Sequence, residues 1–95
     1  MSGLEQNRRT EIEERIKNIL ISALEVDPEA LSKSNSSTPL LGRGIGLDSI
    51  EALALAAEVE TVFDIQVDDA DLTVDLFKNI GTLAQYVLGK ISERK

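Results

Sequence analysis

Apolar residues recur at helical spacing in three separate segments of this chain, and no segment of useful length alternates apolar and polar residues as a strand does. The members of the three stripes are Ile12, Ile16, Ile19, Leu20, Ala23 and Leu24; Ala52, Leu55, Ala56, Val59, Val62 and Phe63; and Ile80, Leu83, Ala84, Val87, Leu88 and Ile91. Each stripe follows one face of a helix, which has to be buried against another element. The sequence therefore predicts an all-α fold.

The first helix and the loop after it are bounded by capping and helix-stopping residues. We predict a helix over residues 10–26, with Thr10 as its N-cap. Pro28 should stop this helix, because the residue before a proline is pushed out of the α region. Residues 27–47 are rich in serine, glycine and other turn formers and are expected to form a long loop. Aliphatic residues in the second half of this loop predict that this half is ordered, with its apolar side chains packed across the helix ends.

The second helix is predicted over residues 49–63 and carries more apolar surface than a peripheral helix needs. The sequence Asp48-Ser49-Ile50-Glu51 has the form of a capping box, with Asp48 as N-cap and Glu51 at the third helical position. A second apolar stripe runs beside the first and consists of Ile50, Leu53, Ala54 and Ala57. One stripe is enough for a surface helix. This helix is therefore either central in the bundle, or half buried and half offered to a partner.

The remainder of the chain adds an acidic link and two helices. We predict a short helix over residues 72–77 and a last helix over residues 80–91, with Asn79 as its cap. Residues 1–9 are expected to be flexible. A chain of 95 residues is enough for one core. The prediction is a single domain over residues 1–95, folded as a small four-helix bundle of three longer helices and one short helix.

The chain contains no cysteine and no histidine. This excludes disulfides, thiol nucleophiles, imidazole bases and Cys/His zinc sites. The segment that begins at Asp64 fails as a calcium loop, because Asp69 replaces the glycine at its sixth position and Asp75 stands where glutamate is required. Paired carboxylates are not excluded by spacing, but no candidate pocket accompanies them. We therefore expect no catalytic residues, no metal site and no enzymatic activity.

Acidic side chains are concentrated in the second helix and in the link after it. The net charge is −7 and the pI is near 4.5, and no lysine or arginine lies between Arg43 and Lys78. A solvated face that keeps the protein soluble is the simpler explanation. The charge argues against nucleic acid and membranes as partners and favours basic protein surfaces. The first residues lack an apolar signal region and no run reaches transmembrane length, so we expect a cytoplasmic protein.

The sequence Gly46-Leu47-Asp48-Ser49-Ile50-Glu51 places a serine at the start of the acidic helix. Taken alone, Asp48 and Ser49 are accounted for as good helix-start residues. The segment nevertheless resembles the prosthetic-group site of acyl carrier proteins, whose Asp-Ser-Leu motif receives 4′-phosphopantetheine on its serine. Ser49 matches the modified serine, Asp48 matches the preceding aspartate, and Ile50 stands where leucine is usual. The resemblance covers nearly the whole chain, because the order of helices, long loop and acidic link is similar too.

The resemblance implies a carrier, not an enzyme, that holds acyl intermediates as thioesters on an arm attached to Ser49. A separate phosphopantetheinyl transferase, using coenzyme A and magnesium, would attach the arm. Acyl-transferring and chain-elongating enzymes with basic docking surfaces would be the other partners. The pathway stays open between fatty acid, polyketide and specialised lipid synthesis. We expect the protein to be a monomer.

Partner recognition is expected at the start of the second helix and along its second apolar stripe. The residues assigned to it are Asp48, Ile50, Glu51, Leu53, Ala57 and Glu60. Glu51 and Glu60 match acidic contact positions of the family, whereas Ala54, Ala57 and Thr61 depart from its usual side chains. Weaker docking, or a dedicated partner enzyme, would follow. Two alternatives stay open: a peptidyl or aminoacyl carrier, and a helical interaction domain in which Ser49 is only a helix-start residue.

Overall fold

Four α-helices form the regular structure of the part of the chain that the structure describes: α1 (Ser2–Ser22), α2 (Pro28–Ser32), α3 (Ser49–Phe63) and α4 (Ile80–Glu93). The structure is a computed structural model that describes residues 2–93, with the side chains of residues 7–93. Within this range, pairing of extended backbone is confined to one isolated bridge between Leu41 and Leu47. Three long helices and one short helix confirm the predicted all-α bundle.

α1 begins eight residues before the predicted start, at Ser2 rather than Thr10. Thr10 therefore lies inside the helix and is not its N-cap. The segment ahead of Thr10 contains one leucine, one glutamate, one glutamine and two arginines, which are good helix formers even without an apolar stripe. An ion pair between Arg9 and Glu13 at 3.4 Å, one turn apart, supports the same stretch. The flexibility expected for residues 1–9 stays a prediction, and Met1 lies outside the described residues.

α1 also ends earlier than predicted, at Ser22. The cause is not Pro28 but Glu25, whose φ of 58° is in the left-handed region and cannot continue a right-handed helix. Pro28 instead begins α2, at the first helical position, where its missing N–H group leaves no hydrogen bond unmade. Asp27 caps α2, because its side chain accepts a backbone N–H of the first turn at 2.9 Å.

The short helix was predicted in the wrong place. It is α2, inside the stretch predicted as loop, whereas residues 72–77 form no α-helix. A single 3₁₀ turn spans Asp69–Asp71, and three tight i→i−3 hydrogen bonds then close the chain from Thr73 to Lys78. β-branched residues at 73 and 74 disfavour a regular α-helix here. Leu76 and Phe77 are still buried, as expected.

The core is aliphatic and is built largely from the three predicted stripes. Its largest fully buried side chains are Ile16, Leu20, Leu40, Leu55, Val59, Ile80, Leu83 and Val87. α1 packs against both α3 and α4. Two predicted members are exceptions, since Ala23 lies beyond the end of α1 and is exposed, and Val62 is also exposed. Asn79 is confirmed as the cap of α4, because its Oδ1 atom accepts the Thr82 N–H at 2.7 Å.

α4 holds the acidic link that follows α3. The Tyr86 hydroxyl donates to Asp71 Oδ2 at 2.7 Å, and Lys90 Nζ lies 3.3 Å from Asp68 Oδ2. No lysine or arginine lies between Arg43 and Lys78, so the cation that pairs with Asp68 comes from a different element, α4. None of the helices within residues 2–93 is both long enough and apolar enough to cross a membrane.

Candidate functional site

The loop in front of Ser49 is fixed by its own hydrogen bonds and by two core leucines. The Leu47 N–H donates to the Leu40 carbonyl at 3.0 Å, and the Leu47 carbonyl accepts the Gly42 N–H at 3.3 Å. Leu40 and Leu47 are both buried. The predicted order of the second half of the loop is confirmed. Ser49 is only two residues beyond Leu47, so its backbone is anchored to the core.

Two glycines allow this loop to fold so tightly. A Cβ atom at Gly44 would overlap the backbone carbonyl of Pro39, which cannot move aside as a flexible side chain could. The same carbonyl accepts the Ile45 N–H at 2.8 Å, so the turn closes around the position of Gly44. Gly46 has a φ of +92°, which side chains other than glycine rarely adopt. The glycine-rich sequence therefore serves the backbone geometry ahead of Ser49.

The predicted capping box at the start of α3 is confirmed. The Asp48 side chain accepts the Glu51 N–H at 2.8 Å, and Glu51 Oε1 accepts the Asp48 N–H at 3.1 Å. Asp48 has extended backbone angles, so the helix begins abruptly at Ser49. Ser49 is exposed at this first helical position.

An exposed hydroxyl at this position is chemically suited to carry an anionic substituent. The first N–H groups of an α-helix have no carbonyl partner one turn earlier, and the helix dipole places positive potential at the same end. A phosphate ester on Ser49 Oγ would lie in that field. The serine needs no base of its own if another protein forms the ester. No group of three or more acidic side chains in residues 2–93 is arranged to hold a metal ion.

α3 is half buried and half exposed, which decides between the two arrangements that its sequence allowed. Its buried side consists of Ala52, Leu55, Ala56, Val59 and Phe63. The second apolar stripe faces outward, with Ile50 77% exposed and Leu53 54% exposed. Ala54 and Ala57 are exposed on the same side of the helix. Isolated apolar side chains are common on surfaces, but this stripe begins at the residue next to Ser49.

Three of the residues assigned to partner recognition have structural partners inside the chain. Asp48 and Glu51 form the capping box described above. Glu60, one turn before the end of α3, accepts the Val67 N–H on its Oε2 atom at 2.7 Å. The sequence contains no signal for this second contact, because Val67 lies seven positions after Glu60 and beyond the end of the helix. The other three assigned residues, Ile50, Leu53 and Ala57, lie together on the exposed side of α3.

Comparisons with known proteins show the family to which the chain belongs. The family model described as "Phosphopantetheine attachment site" matches residues 14–87 of this chain. The chain is 31% identical over 74 residues to the acyl carrier protein of Onion yellows phytoplasma (strain OY-M), covering 78% of this chain and 90% of that protein. The chain belongs to the acyl carrier protein family. It is also 29% identical over 83 residues to the acyl carrier protein of Thermotoga maritima, covering 87% of this chain and 95% of that protein.

Membership of the acyl carrier protein family establishes two properties of the chain. Its prosthetic group is 4′-phosphopantetheine, and it is a carrier rather than a catalyst. The exposed hydroxyl and helix N-terminus at Ser49 fit this group, which requires an alcohol for its phosphodiester bond. No solved structure gives a significant match to this chain.

Proposed function

We propose that Ser49 carries the 4′-phosphopantetheine arm and that the protein presents acyl intermediates on it to partner enzymes. The observation that supports this most strongly is that the Ser49 side chain is exposed at the first position of a capped helix, which directly follows a hydrogen-bonded loop. When bound, the prosthetic group supplies the thiol that holds the acyl group as a thioester. The chain itself contains no cysteine that could do this.

The residues around Ser49 have separate tasks in this proposal. The hydroxyl oxygen of Ser49 forms the phosphodiester bond as the pyrophosphate bond of coenzyme A breaks; adenosine 3′,5′-bisphosphate leaves and the serine proton passes to the transferase. The N-terminus of α3 stabilises the negative charge of the phosphodiester. Asp48 and Glu51 hold the helix start in one conformation through their reciprocal hydrogen bonds. Leu47 anchors the preceding backbone in the core.

A phosphopantetheinyl transferase and acyl-transferring and chain-elongating enzymes are the proposed partners. The exposed stripe beginning at Ile50 and Leu53 supports docking along α3, because an enzyme acting on the arm has to approach the same end of the helix. The acidic surroundings favour enzymes with basic surfaces, which also accelerates encounter. We further propose that the protein acts as a cytoplasmic monomer in fatty acid, polyketide or specialised lipid synthesis.

Intact-mass measurement after incubation with coenzyme A, magnesium and a broad-specificity transferase tests the proposal. The wild-type protein should gain one phosphopantetheine. The Ser49→Ala variant should gain none, yet keep its helical circular dichroism, because the Asp48 cap is untouched. Ser37→Ala, which removes an exposed serine of the loop, is the matched control and should be modified normally. An unmodified wild-type protein would favour the interaction-domain alternative.

A further inference from the structure

Ser36 joins three parts of the fold that are distant in sequence. Its hydroxyl lies 2.8 and 2.9 Å from the two carboxylate oxygens of Glu13 on α1, to which it donates a shared hydrogen bond. Its backbone carbonyl accepts the Gly81 N–H, in the first turn of α4, at 2.9 Å. By contrast, the hydroxyl of the nearby Ser34 bonds only one turn back, to the Leu31 carbonyl at 2.6 Å.

Glu13 is placed unusually for a charged residue. Its exposed fraction is 8%, and among the side chains that the structure describes it is the one charged group that is buried. Burying a carboxylate is unfavourable unless hydrogen bonds and opposite charge compensate it. Ser36 and Arg9 supply that compensation, since Arg9 Nε lies 3.4 Å from Glu13 Oε2. The contact with Ser36 is therefore one that the fold requires, not an incidental surface pair.

The backbone of α4 also approaches Ser36 closely. A Cβ atom at Gly81 would lie 3.1 Å from both the Cβ atom and the carbonyl oxygen of Ser36. That separation is tighter than ordinary van der Waals contact. Gly81 is buried, so the loop and the start of α4 meet without an intervening side chain. Ser36 is consequently held from two sides, by α1 through its side chain and by α4 through its backbone.

Hydrogen bonds connect Ser36 to the segment in front of Ser49. The turn around Ser36 is closed by one backbone hydrogen bond, in which the Thr38 N–H donates to the Asn35 carbonyl at 3.0 Å. Pro39 follows and accepts the Ile45 N–H, after which Leu40 accepts the Leu47 N–H. Ser49 is the second residue after this last bond. Loss of the contact at Ser36 would release the first of these successive turns, which the backbone joins to the segment in front of Ser49.

We propose that Ser36 and Glu13 are positioning residues for the modification of Ser49. Their contact keeps the loop of residues 33–47 in the conformation that the transferase binds. This rests on the proposed function, because it assumes that Ser49 is the modified residue. If the loop is ordered in only a fraction of the molecules, the apparent affinity is reduced to that fraction of its full value, while the reaction in the bound complex is unchanged. The expected signature is therefore a change in KM without a change in kcat.

Steady-state kinetics of the transferase, with coenzyme A in excess and this protein as the varied substrate, measures that signature. Ser36→Ala should raise KM by up to about tenfold, the limit set by the loss of one hydrogen bond to a charged group. Glu13→Ala should act in the same way, whereas Glu13→Gln keeps an acceptor oxygen and should restore most of the affinity. Ser34→Ala is the matched control, because its hydroxyl makes only a local bond.

Amide hydrogen exchange gives a second readout that does not depend on the transferase. Ser36→Ala should accelerate exchange at Ile45 and Leu47, and Ser34→Ala should leave both amides protected. Equal KM values and equal protection in wild type and Ser36→Ala, with only a lower Tm, would overturn the positioning role. The proposed function is tested separately, by the intact mass of the wild-type protein after incubation with coenzyme A and a high concentration of transferase. Complete modification of wild type there would uphold the proposed function even if the positioning role failed.

Discussion

The carboxylate of Glu60 accepts the backbone N–H of Val67 at 2.7 Å, across the turn that leaves α3. The Glu60 carbonyl also accepts the Ile65 N–H at 3.2 Å. Val67 is buried, so its N–H needs a partner within the protein. Glu60 therefore stabilises the end of α3 and the start of the acidic link, although the family resemblance assigns it to partner recognition.

Replacing Glu60 with alanine should lower stability more than replacing another glutamate of α3. We expect Glu60→Ala to reduce the free energy of unfolding by about 1.5 kcal/mol, because a buried N–H loses a charged acceptor. This corresponds to a Tm lower by about 6–12 °C for a domain of this size. Glu58→Ala, at an exposed position on the same helix, is the control and should change stability by less than about 0.5 kcal/mol. Equal losses in the two variants would show that the Val67 contact contributes nothing.

Truncation of the exposed apolar stripe should weaken docking without weakening the fold. Ile50→Ala and Leu53→Ala should each reduce kcat/KM of the transferase about tenfold, a typical effect for an apolar side chain buried in an interface. The loss should persist at high salt, because screening does not affect aliphatic contacts. Val74→Ala, at a residue that is 74% exposed but outside α3, should leave kcat/KM unchanged. Equal rates for all three variants would place docking elsewhere.

The single tyrosine of the chain reports on the contact between α4 and the acidic link. Burial, and the hydrogen bond that Tyr86 donates to Asp71, raise the pKa of its phenol above the ordinary value of 10.0. The neutral phenol is therefore favoured in the folded state. Its contribution to stability is complete below pH 10.0 and is lost as pH rises through the raised pKa. The pKa of Lys90 is raised as well, mainly by its hydrogen bond to Asp68, which gives a dependence of the same sign.

Absorbance titration of the phenolate measures this pKa directly. The midpoint should lie above 10.0 in the native protein and return to the ordinary value in denaturant. Tyr86→Phe should unfold with a shallower loss of stability above pH 10.0 than wild type. An unshifted native midpoint would mean that the contact with Asp71 does not persist in solution.

Helices with strong local signals could be predicted from the sequence. α3 has the predicted bounds because its capping box and its apolar stripe specify the same start. The start of α4 at Ile80 could be predicted for a similar reason, with Asn79 as its cap. Ser49 is singled out by the resemblance to acyl carrier proteins, because its local sequence alone is explained by the helix start.

Features that depend on distant contacts could not be predicted. The left-handed conformation of Glu25 carries no sequence signature, so the sequence predicts that α1 ends only at Pro28. Residues 73–78 form tight turns rather than a helix, yet these turns bury Leu76 and Phe77 as the predicted helix would have done. The hydrogen bonds that Ser36 donates to Glu13 and that Val67 donates to Glu60 join residues whose proximity only the fold creates.

Peptide mapping of the modified protein tests the assignment of Ser49 most directly. Cleavage after Arg43 and Lys78 releases residues 44–78, a peptide in which Ser49 is the sole serine. After incubation with coenzyme A, magnesium and transferase, the account predicts that the phosphopantetheine mass is found on this peptide alone, and that fragmentation assigns it to Ser49. The mass on any other peptide, or its persistence in Ser49→Ala, would contradict the account.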